Sequence, residues 1–268
     1  MTLTLSNGPL AAHPPQTVNY RIDSPDHALF FHEFPRRVRA VFAGETVADT
    51  ARGMLLHETG YLPKLYIPEE DVRADRLERS DTVTWCPFKG HATYRSIRVG
   101  DRVAPDAAWT YADPIDAVPW LAGYVSIAWG SMDAWFDEDE EVEGHLRDPY
   151  HRVDVRASSR HVRVLVGDEL LAETAKPQLL SETGLPNRWY IPAGDVRRDL
   201  LERSATVTIC PYKGRASYWS LRLGDRRVDD VAFSYEEPLE NAMKAGGHLC
   251  FVHSEVTVAV DGEVDRRQ

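Results

Sequence analysis

The sequence has few cysteines and no long apolar run. Its three cysteines, Cys86, Cys210 and Cys250, are far apart, which excludes a disulfide framework and the closely spaced pairs of zinc or redox motifs. No segment approaches the roughly 20 consecutive apolar residues of a membrane span. We therefore expect a cytoplasmic protein that does not enter a membrane.

Basic residues are also in the minority. The formal net charge is -11 at pH 7, and Lys and Arg do not concentrate in any one segment. Such a surface repels phosphate backbones, so we expect no nucleic-acid partner. The expected partners are small molecules. The hydrophobic fraction of 43% is sufficient for a buried core.

The two halves of the chain repeat each other. Residues 25–114 align with residues 149–238 without a gap, and well over a third of the aligned residues are identical, against ~6% by chance. This internal duplication predicts a first repeat domain over residues 1–144 and a second over 145–268, joined near 141–148. The copies are expected to form a pseudo-dimer within one chain, which allows a monomer in solution.

Short alternating segments between turns predict strands. The clearest are residues 37–42, 82–85, 93–99 and 124–129. Helix is scarce: residues 68–73 and 238–245 have the early proline and acidic residues of a helix start, and predict one or two helical turns each. The expected fold class is therefore mainly β, with one or two short helices in each domain.

Five sequence blocks of the second copy follow one another in a specific order: residues 148–155 (DPYHRVDV), 181–184 (SETG), 189–192 (WYIP) with Asp195 and Val196, 201–204 (LERS) and 210–214 (CPYKG). This combination resembles the family known as domain of unknown function 427, over nearly the whole chain and in two copies. The resemblance implies two β-tent-like domains of short coiled sheets. It implies no settled activity. The first copy departs from the pattern at residues 25–32, which leaves open whether one copy or both keep a complete site.

The turn Cys-Pro-aromatic-Lys-Gly occurs once in each copy, at residues 86–90 and 210–214. A lysine beside a cysteine favours a reactive thiolate at Cys86 and Cys210, or itself holds an anion at Lys89 and Lys213. The alternative is a buried, inert cysteine at a strand end and a solvated lysine in the turn. We favour the lysine as the functional residue.

Other polar residues recur near strand ends and turns, where binding groups are common. We expect Glu58 and Glu182 to accept protons and to face Lys89 and Lys213, respectively. The remaining candidates are assigned to ligand binding in the same pockets: Thr59, Arg79, Ser80 and Tyr94 in the first copy, and Thr183, Arg203, Ser204 and Tyr218 in the second. A structural alternative pairs Glu58 with Arg79 as an ion pair that only fixes the β connections.

No metal site is predicted, and no cofactor is expected. His57 and His91 are replaced by Ser181 and Arg215 in the second copy. His27 and His151 do recur, but a single histidine after a proline favours a hydrogen-bonded packing residue over a metal ligand.

Some catalogues attach a nucleotidyltransferase label to the family that the chain resembles. That chemistry needs a Gly-Ser element followed by an Asp-x-Asp pair for magnesium. Residues 130–131 and 137–139 offer a faint version, without an evident helix between them, and the second copy lacks it. A solvated acidic edge is the favoured interpretation.

Three hypotheses of function remain open at this stage. The first is the binding of a small anionic metabolite in a polar pocket of each repeat. The second is an enzyme, either a group transfer assisted by Lys and Glu or by Cys, or a nucleotidyltransferase. The third is a non-catalytic scaffold or protein-interaction module.

Overall fold

The computed structural model describes residues 3–5, 8–13 and 25–266. The chain divides into two compact units, Met1–Asp148 and Pro149–Gln268. Residues 145–148, which the sequence assigns to the second domain, belong to the first unit. Leu146 is buried in the largest apolar cluster of the first unit, which we call the main core. The predicted boundary after residue 144 stays a prediction.

The first unit contains eleven strands among its described residues. They are β1 (Leu29–Phe34), β2 (Val38–Phe42), β3 (Glu45–Thr50), β4 (Gly53–Glu58), β5 (Lys64–Pro68), β6 (Leu77–Cys86), β7 (Gly90–Val99), β8 (Arg102–Thr110), β9 (Tyr124–Ile127), β10 (Ala134–Asp137) and β11 (Glu140–Glu141). Short 3-10 turns lie at Glu69–Asp71, Ala74–Arg76, Pro119–Leu121 and Trp129–Ser131.

Among its described residues, the second unit repeats the eleven strands in the same order and has three 3-10 turns. Its strands are β12 (Val153–Ala157), β13 (Val162–Val166), β14 (Glu169–Thr174), β15 (Gln178–Glu182), β16 (Arg188–Pro192), β17 (Leu201–Cys210), β18 (Gly214–Leu223), β19 (Arg226–Tyr235), β20 (His248–Phe251), β21 (Val256–Val260) and β22 (Glu263–Val264). Its 3-10 turns are Ala193–Asp195, Arg198–Leu200 and Glu240–Ala245.

Each unit has one sheet of seven strands and one of four. In the first unit the orders are β1-β4-β5-β9-β8-β7-β6 and β11-β10-β2-β3. In the second unit they are β12-β15-β16-β20-β19-β18-β17 and β14-β13-β21-β22. The same topology in both units follows from the duplication, because the same alternating segments and turns recur in the same order.

The smaller sheet packs on one face of the larger one through the main core. On β2, the buried residues Val38, Ala40 and Phe42 alternate with the half-buried Arg39 and Val41, as expected for a strand with one covered face. These side chains join a cluster that includes residues of β4, β5, β7, β8 and β9.

A second apolar cluster covers the opposite face of the seven-stranded sheet. Leu55 belongs to the main core, whereas its neighbour Leu56 belongs to this second cluster together with Tyr66 and Tyr111. Successive strand residues point to opposite faces, so β4 contributes to both clusters. Leu121 in the Pro119–Leu121 turn completes the cluster. The second unit has an equivalent cluster around Leu180, Tyr190 and Tyr235.

The predicted fold class, mainly β with short helices, is confirmed. The four clearest predicted strands are present, although β9 ends at Ile127 and residues 129–131 form a 3-10 turn. The two predicted helical segments also form only 3-10 turns. None of the helical segments in the described ranges has the length and apolar character needed to cross a bilayer.

Candidate functional site

The recurrent Cys-Pro-aromatic-Lys-Gly segment forms the tight turn between β6 and β7. Cys86 and Gly90 are opposite each other, and the Lys89 amide donates to the Cys86 carbonyl at 3.2 Å. Ile115 donates its amide to the Lys89 carbonyl at 3.2 Å, which fixes the turn against the chain that follows β8. The second unit repeats this contact between Leu239 and Lys213 at 3.1 Å.

Glycine is required at the end of this turn for two reasons. Gly90 has φ of +103°, and an added Cβ atom would lie 3.3 Å from the Ile115 nitrogen. Gly214 has φ of +100°, and its added Cβ would lie 3.1 Å from the Glu237 carbonyl oxygen. Other residues rarely adopt this conformation, and the neighbouring backbone has little freedom to move.

The turn directs its lysine inward, onto the glutamate at the end of β4. Glu58 has the same side-chain direction as Leu56, two positions earlier on the strand. Lys89 Nζ donates to Glu58 Oε2, and Lys213 Nζ donates to Glu182 Oε2. These lysine side chains are only 8% and 13% exposed. The structure therefore brings together the two residues that the sequence predicts to face each other in each copy.

A histidine forms a hydrogen bond with the other carboxylate oxygen of each glutamate. His27 Nε2 lies 3.0 Å from Glu58 Oε1, and His151 Nε2 lies 2.9 Å from Glu182 Oε1. We call each group of His, Glu and Lys the charged cluster of its unit. The His27 ring stacks on Phe88 of the turn at a centroid distance of 3.7 Å, and the His151 ring lies tilted by 41° against Tyr212 at 4.2 Å.

Sequence reasoning treated these histidines as packing residues and did not place them in the site. They do pack, since each lies on an aromatic ring, but they also hydrogen-bond to the candidate glutamate. The signal that was available is their recurrence: His27 and His151 are identical in a segment where the two copies otherwise differ strongly.

Thr59 and Thr183 position the histidine segments through hydrogen bonds to the backbone. The Ala28 amide donates to Thr59 Oγ1 at 3.0 Å, and Thr59 Oγ1 donates to the Leu10 carbonyl at 2.6 Å. In the second unit the Arg152 amide donates to Thr183 Oγ1 at 2.9 Å. Each threonine thereby holds the residue that follows the histidine.

Buried tyrosines surround the charged clusters. Tyr66 and Tyr111 belong to the second apolar cluster, and Lys89 Nζ lies 6.0 Å from the centroid of the Tyr111 ring. Burial raises the pKa of both phenols above their usual range. Tyr190 and Tyr235 repeat the arrangement, again with pKa values raised by burial. The phenols remain neutral, so they provide an apolar wall with polar hydroxyl groups.

The glutamate of the second unit is held in its ionised form. Burial by itself raises its pKa, but the hydrogen bond from His151 and the charge and hydrogen bond of Lys213 outweigh burial. Together these effects lower the pKa of Glu182 to about 2. At neutral pH Glu182 is therefore a carboxylate acceptor.

Cys86 and Cys210 lie at the base of the turn. Both are half-buried, and each packs against the tyrosine-containing cluster of its unit. Cys250, on β20, is fully buried, and burial raises the pKa of its thiol to about 12. Cys250 is therefore a packing residue, whereas Cys86 and Cys210 lie beside the charged clusters.

The structure does not bring Arg79 and Ser80 to Glu58. Arg79 lies seven residues before Cys86 on β6, which corresponds to roughly 23 Å along an extended strand. The alternative ion pair of Glu58 with Arg79 is wrong, because Glu58 is paired with Lys89 and His27. Arg203 is likewise remote from its turn, and its partners are Ser217 and Glu236.

Ser80 and Ser204 belong to a bulge in the long hairpin of each unit. The register of β6 on β7 shifts between Arg79 and Val83. Within this bulge the Thr82 amide donates to Ser80 Oγ at 3.0 Å, and Thr82 Oγ1 donates to Asp106 at 2.7 Å. The second unit has the same bonds from Thr206 to Ser204 and Asp230. Both serines stabilise the bulge.

Tyr94 and Tyr218 lie between the bulge and the tyrosine wall. Tyr94 packs at the edge of the second apolar cluster, and its hydroxyl group is 3.2 Å from Thr84 Oγ1. Tyr218 has the equivalent contact with Thr208 at 3.1 Å. Of the predicted ligand-binding residues in the hairpins, these tyrosines are nearest to the charged clusters.

The histidines specific to the first copy form a separate group. His57 is completely buried, with Nε2 at 2.9 Å from His32 Nε2 and Nδ1 at 3.7 Å from Asp148. Within the described ranges, no three His, Cys, Asp or Glu side chains are arranged to hold a metal ion.

The acidic segment considered for nucleotidyl transfer is paired with arginines. Asp137 lies 2.7 Å from Arg36, and Asp139 lies 3.1 Å from Arg39. Gly130 and Ser131 lie in a 3-10 turn. Asp139 is solvated, as expected for an acidic edge, whereas the Asp137 side chain is only 12% exposed.

A family model described as Domain of unknown function (DUF427), with the short name NTP_transf_9, matches residues 31–138 and 154–265. The chain belongs to this family. The two matches confirm that the chain contains two copies of the domain. Glu58 and Lys89 lie within the first match, and Glu182 and Lys213 lie within the second. His27 and His151 lie just before them. No curated protein matches the chain.

Proposed function

We propose that each repeat binds a small anionic metabolite at its charged cluster. The lysine ammonium is the main anchor, and the histidine and glutamate fix its position. The aromatic side chains around the cluster are suited to the organic part of the ligand, because ligand sites commonly combine apolar walls with a few polar groups.

The observation that carries this proposal is the incomplete hydrogen bonding of two nearly buried lysines. An ammonium group has three N–H donors. Among the described residues, Glu58 accepts the only hydrogen bond from Lys89 Nζ, and Glu182 accepts the only one from Lys213 Nζ. Two donors of each lysine are therefore left for acceptor atoms of a ligand, in the same geometry in both units.

The lysine donors, and not the net charge of the cluster, favour an anion. The carboxylate of the glutamate balances the charge of the lysine and fixes the position of the ammonium group. An additional anion would accept hydrogen bonds from the remaining N–H donors of the lysine. A charge-assisted hydrogen bond from lysine to carboxylate or phosphate is about twice as strong as a neutral one.

Stability alone gives little reason for such a cluster. Burying an ion pair costs desolvation energy that the attraction often fails to offset, and apolar replacements are commonly as stable. Both copies nevertheless have the same three residues, although their surroundings differ at Phe88 and Tyr212 and at His57 and Ser181.

A thermal-shift screen of phosphates and carboxylates tests the proposal. We expect at least one compound to raise the melting temperature of the native chain, because a ligand that binds only the folded state stabilises it. The double variant Lys89→Met with Lys213→Met should lose the shift that a carboxylate produces. The matched control is Lys64→Met with Lys176→Met, which removes the same charge from two exposed positions, one in each unit.

Two outcomes would contradict the proposal. In the first, the control variant loses the shift as completely as the cluster variant, which would indicate only a general effect of charge. In the second, no compound shifts the native chain and the cluster variant unfolds, which would support the scaffold hypothesis.

A further inference from the structure

A groove of about 540 Å³ opens on the β6–β7 hairpin of the first unit, around the bulge and far from the Lys89 turn. Its lining includes Leu77, Arg79, Asp81, Val83, Tyr94 and Arg95. The volume is within the range of small-molecule sites. Bulges are frequent beside functional sites, because they redirect side chains out of the regular pleat.

Two arginines face each other across this groove. Arg79 and Arg95 are directly opposite partners in the pairing of β6 with β7. Like charges in this position are destabilising, since their Cβ atoms are about 5 Å apart. Among the described residues neither guanidinium forms an ion pair with a carboxylate, including that of Asp81 in the same groove. The hairpin thus concentrates positive charge in a chain whose net charge is -11.

In the second unit the equivalent pair of residues does not place two unpaired arginines opposite each other. Arg203 is opposite Trp219 instead of a second arginine, and it forms an ion pair with Glu236 at 3.0 Å. Trp219 donates its indole N–H to Ser234 at 3.1 Å, and the Arg198 guanidinium covers the ring at 5.2 Å. The equivalent of Glu236 in the first unit is Ala112, which offers no charge.

We infer that the groove of the first unit binds a phosphate-bearing small molecule, with Arg79 and Arg95 holding the phosphate. A guanidinium has a planar fork of N–H donors that matches two phosphate oxygens, and two opposed guanidinium groups suit a doubly charged anion. Leu77 and Val83, which also line the groove, are positioned for contact with the organic part. This site is distinct from the charged cluster and does not depend on the function proposed for it.

Equilibrium dialysis with radiolabelled inorganic phosphate at constant ionic strength tests the inference. We expect the native chain to bind one phosphate more per molecule than Arg79→Gln or Arg95→Gln, or to bind it at least tenfold more tightly. Both arginines are at least partly exposed, so the variants should fold, and circular dichroism verifies this. Acetate at the same ionic strength should compete poorly.

Two control variants separate a specific site from a general charge effect. Arg203→Gln changes the equivalent arginine of the second unit, and Arg98→Gln removes an exposed arginine from the same strand as Arg95. Both should bind phosphate like the native chain. The double variant Lys89→Met with Lys213→Met should still bind phosphate in this groove. Equal binding by the native chain, Arg79→Gln and Arg95→Gln would overturn the inference, as would an equal loss in the two controls.

Discussion

Lys89, in the turn that ends β6, donates a hydrogen bond to Glu58, 31 positions earlier on β4. Lys213 and Glu182 have the same relationship at the same sequence separation. A nearly buried ion pair that recurs in two diverged copies, and that leaves lysine donors for a further acceptor, is the basis of the functional proposal.

Neutralising the glutamate should destabilise its unit. Glu182→Gln leaves Lys213 as a nearly buried cation without its counter-charge, which is expected to cost about 3 kcal/mol in the free energy of unfolding. The control Glu202→Gln breaks an ion pair with Arg222 whose side chains are 44% and 62% exposed, and should cost less than about 1 kcal/mol. Urea denaturation measures both. Equal costs would show that Glu182 and Lys213 behave as a surface pair.

The turn should depend on its glycine. Gly90→Ala places a Cβ atom against the backbone of residues 113–115 at a φ of +103°, and we expect a loss of about 3 kcal/mol. Gly100→Ala is the matched control, because its φ is also positive but nothing lies within 4 Å of the added Cβ. It should cost about 1 kcal/mol. Equal losses in thermal or urea unfolding would rule out the close contact as the cause.

Acidification should destabilise the first unit through His57. Burial lowers the pKa of His57 to about 4, and the neighbouring His32 adds to the effect, although Asp148 opposes it. Below about pH 6.5 the unfolded chain takes up a proton that the folded chain does not. The stabilising contribution of neutral His57 is therefore present above pH 6.5 and is lost as the pH falls toward 4.

The His57→Gln variant tests this linkage. Between pH 6 and pH 4.5, the native chain should lose up to about 1.4 kcal/mol more per pH unit than the variant does. Parallel stability curves for the two proteins over this interval would mean that His57 takes up its proton equally in both states.

The three thiols should react at different rates. Cys250 is fully buried and its thiol pKa is raised to about 12, so a thiol reagent at neutral pH should modify it only on unfolding. Cys86 and Cys210 are half-buried and should react faster in the native chain. Mass spectrometry of labelled peptides gives the order. Rapid labelling of Cys250 in the folded protein would contradict its assignment as a packing residue.

The sequence was sufficient for the repeat, the strand pattern and the pairing of Lys89 with Glu58. These features depend on local signals, namely alternation, turn residues and identity between the copies. The position of Arg79 was not predictable in this way. It shares a block with Ser80 near the turn in sequence, but the seven strand residues from Ser80 to Cys86 separate it from the turn in space.

The roles of Thr59 and His27 also lay beyond the sequence pattern. Both belong to irregular segments at the start and end of strands, where neither period nor spacing gives the direction of a side chain. Their contacts depend on the pairing of β1 with β4, which brings residues 31 positions apart into hydrogen-bonding distance. The bulge that contains Ser80 was also not predictable, because a bulge cannot be recognised from alternation alone.

The most direct test of the central claim is the binding stoichiometry of a carboxylate ligand from the thermal-shift screen, measured by isothermal titration calorimetry. The native chain should bind two molecules per chain, Lys89→Met and Lys213→Met one each, and the double variant none. The Lys64→Met and Lys176→Met control should bind two. A stoichiometry that is unchanged by the loss of Lys89 and Lys213 would contradict the account.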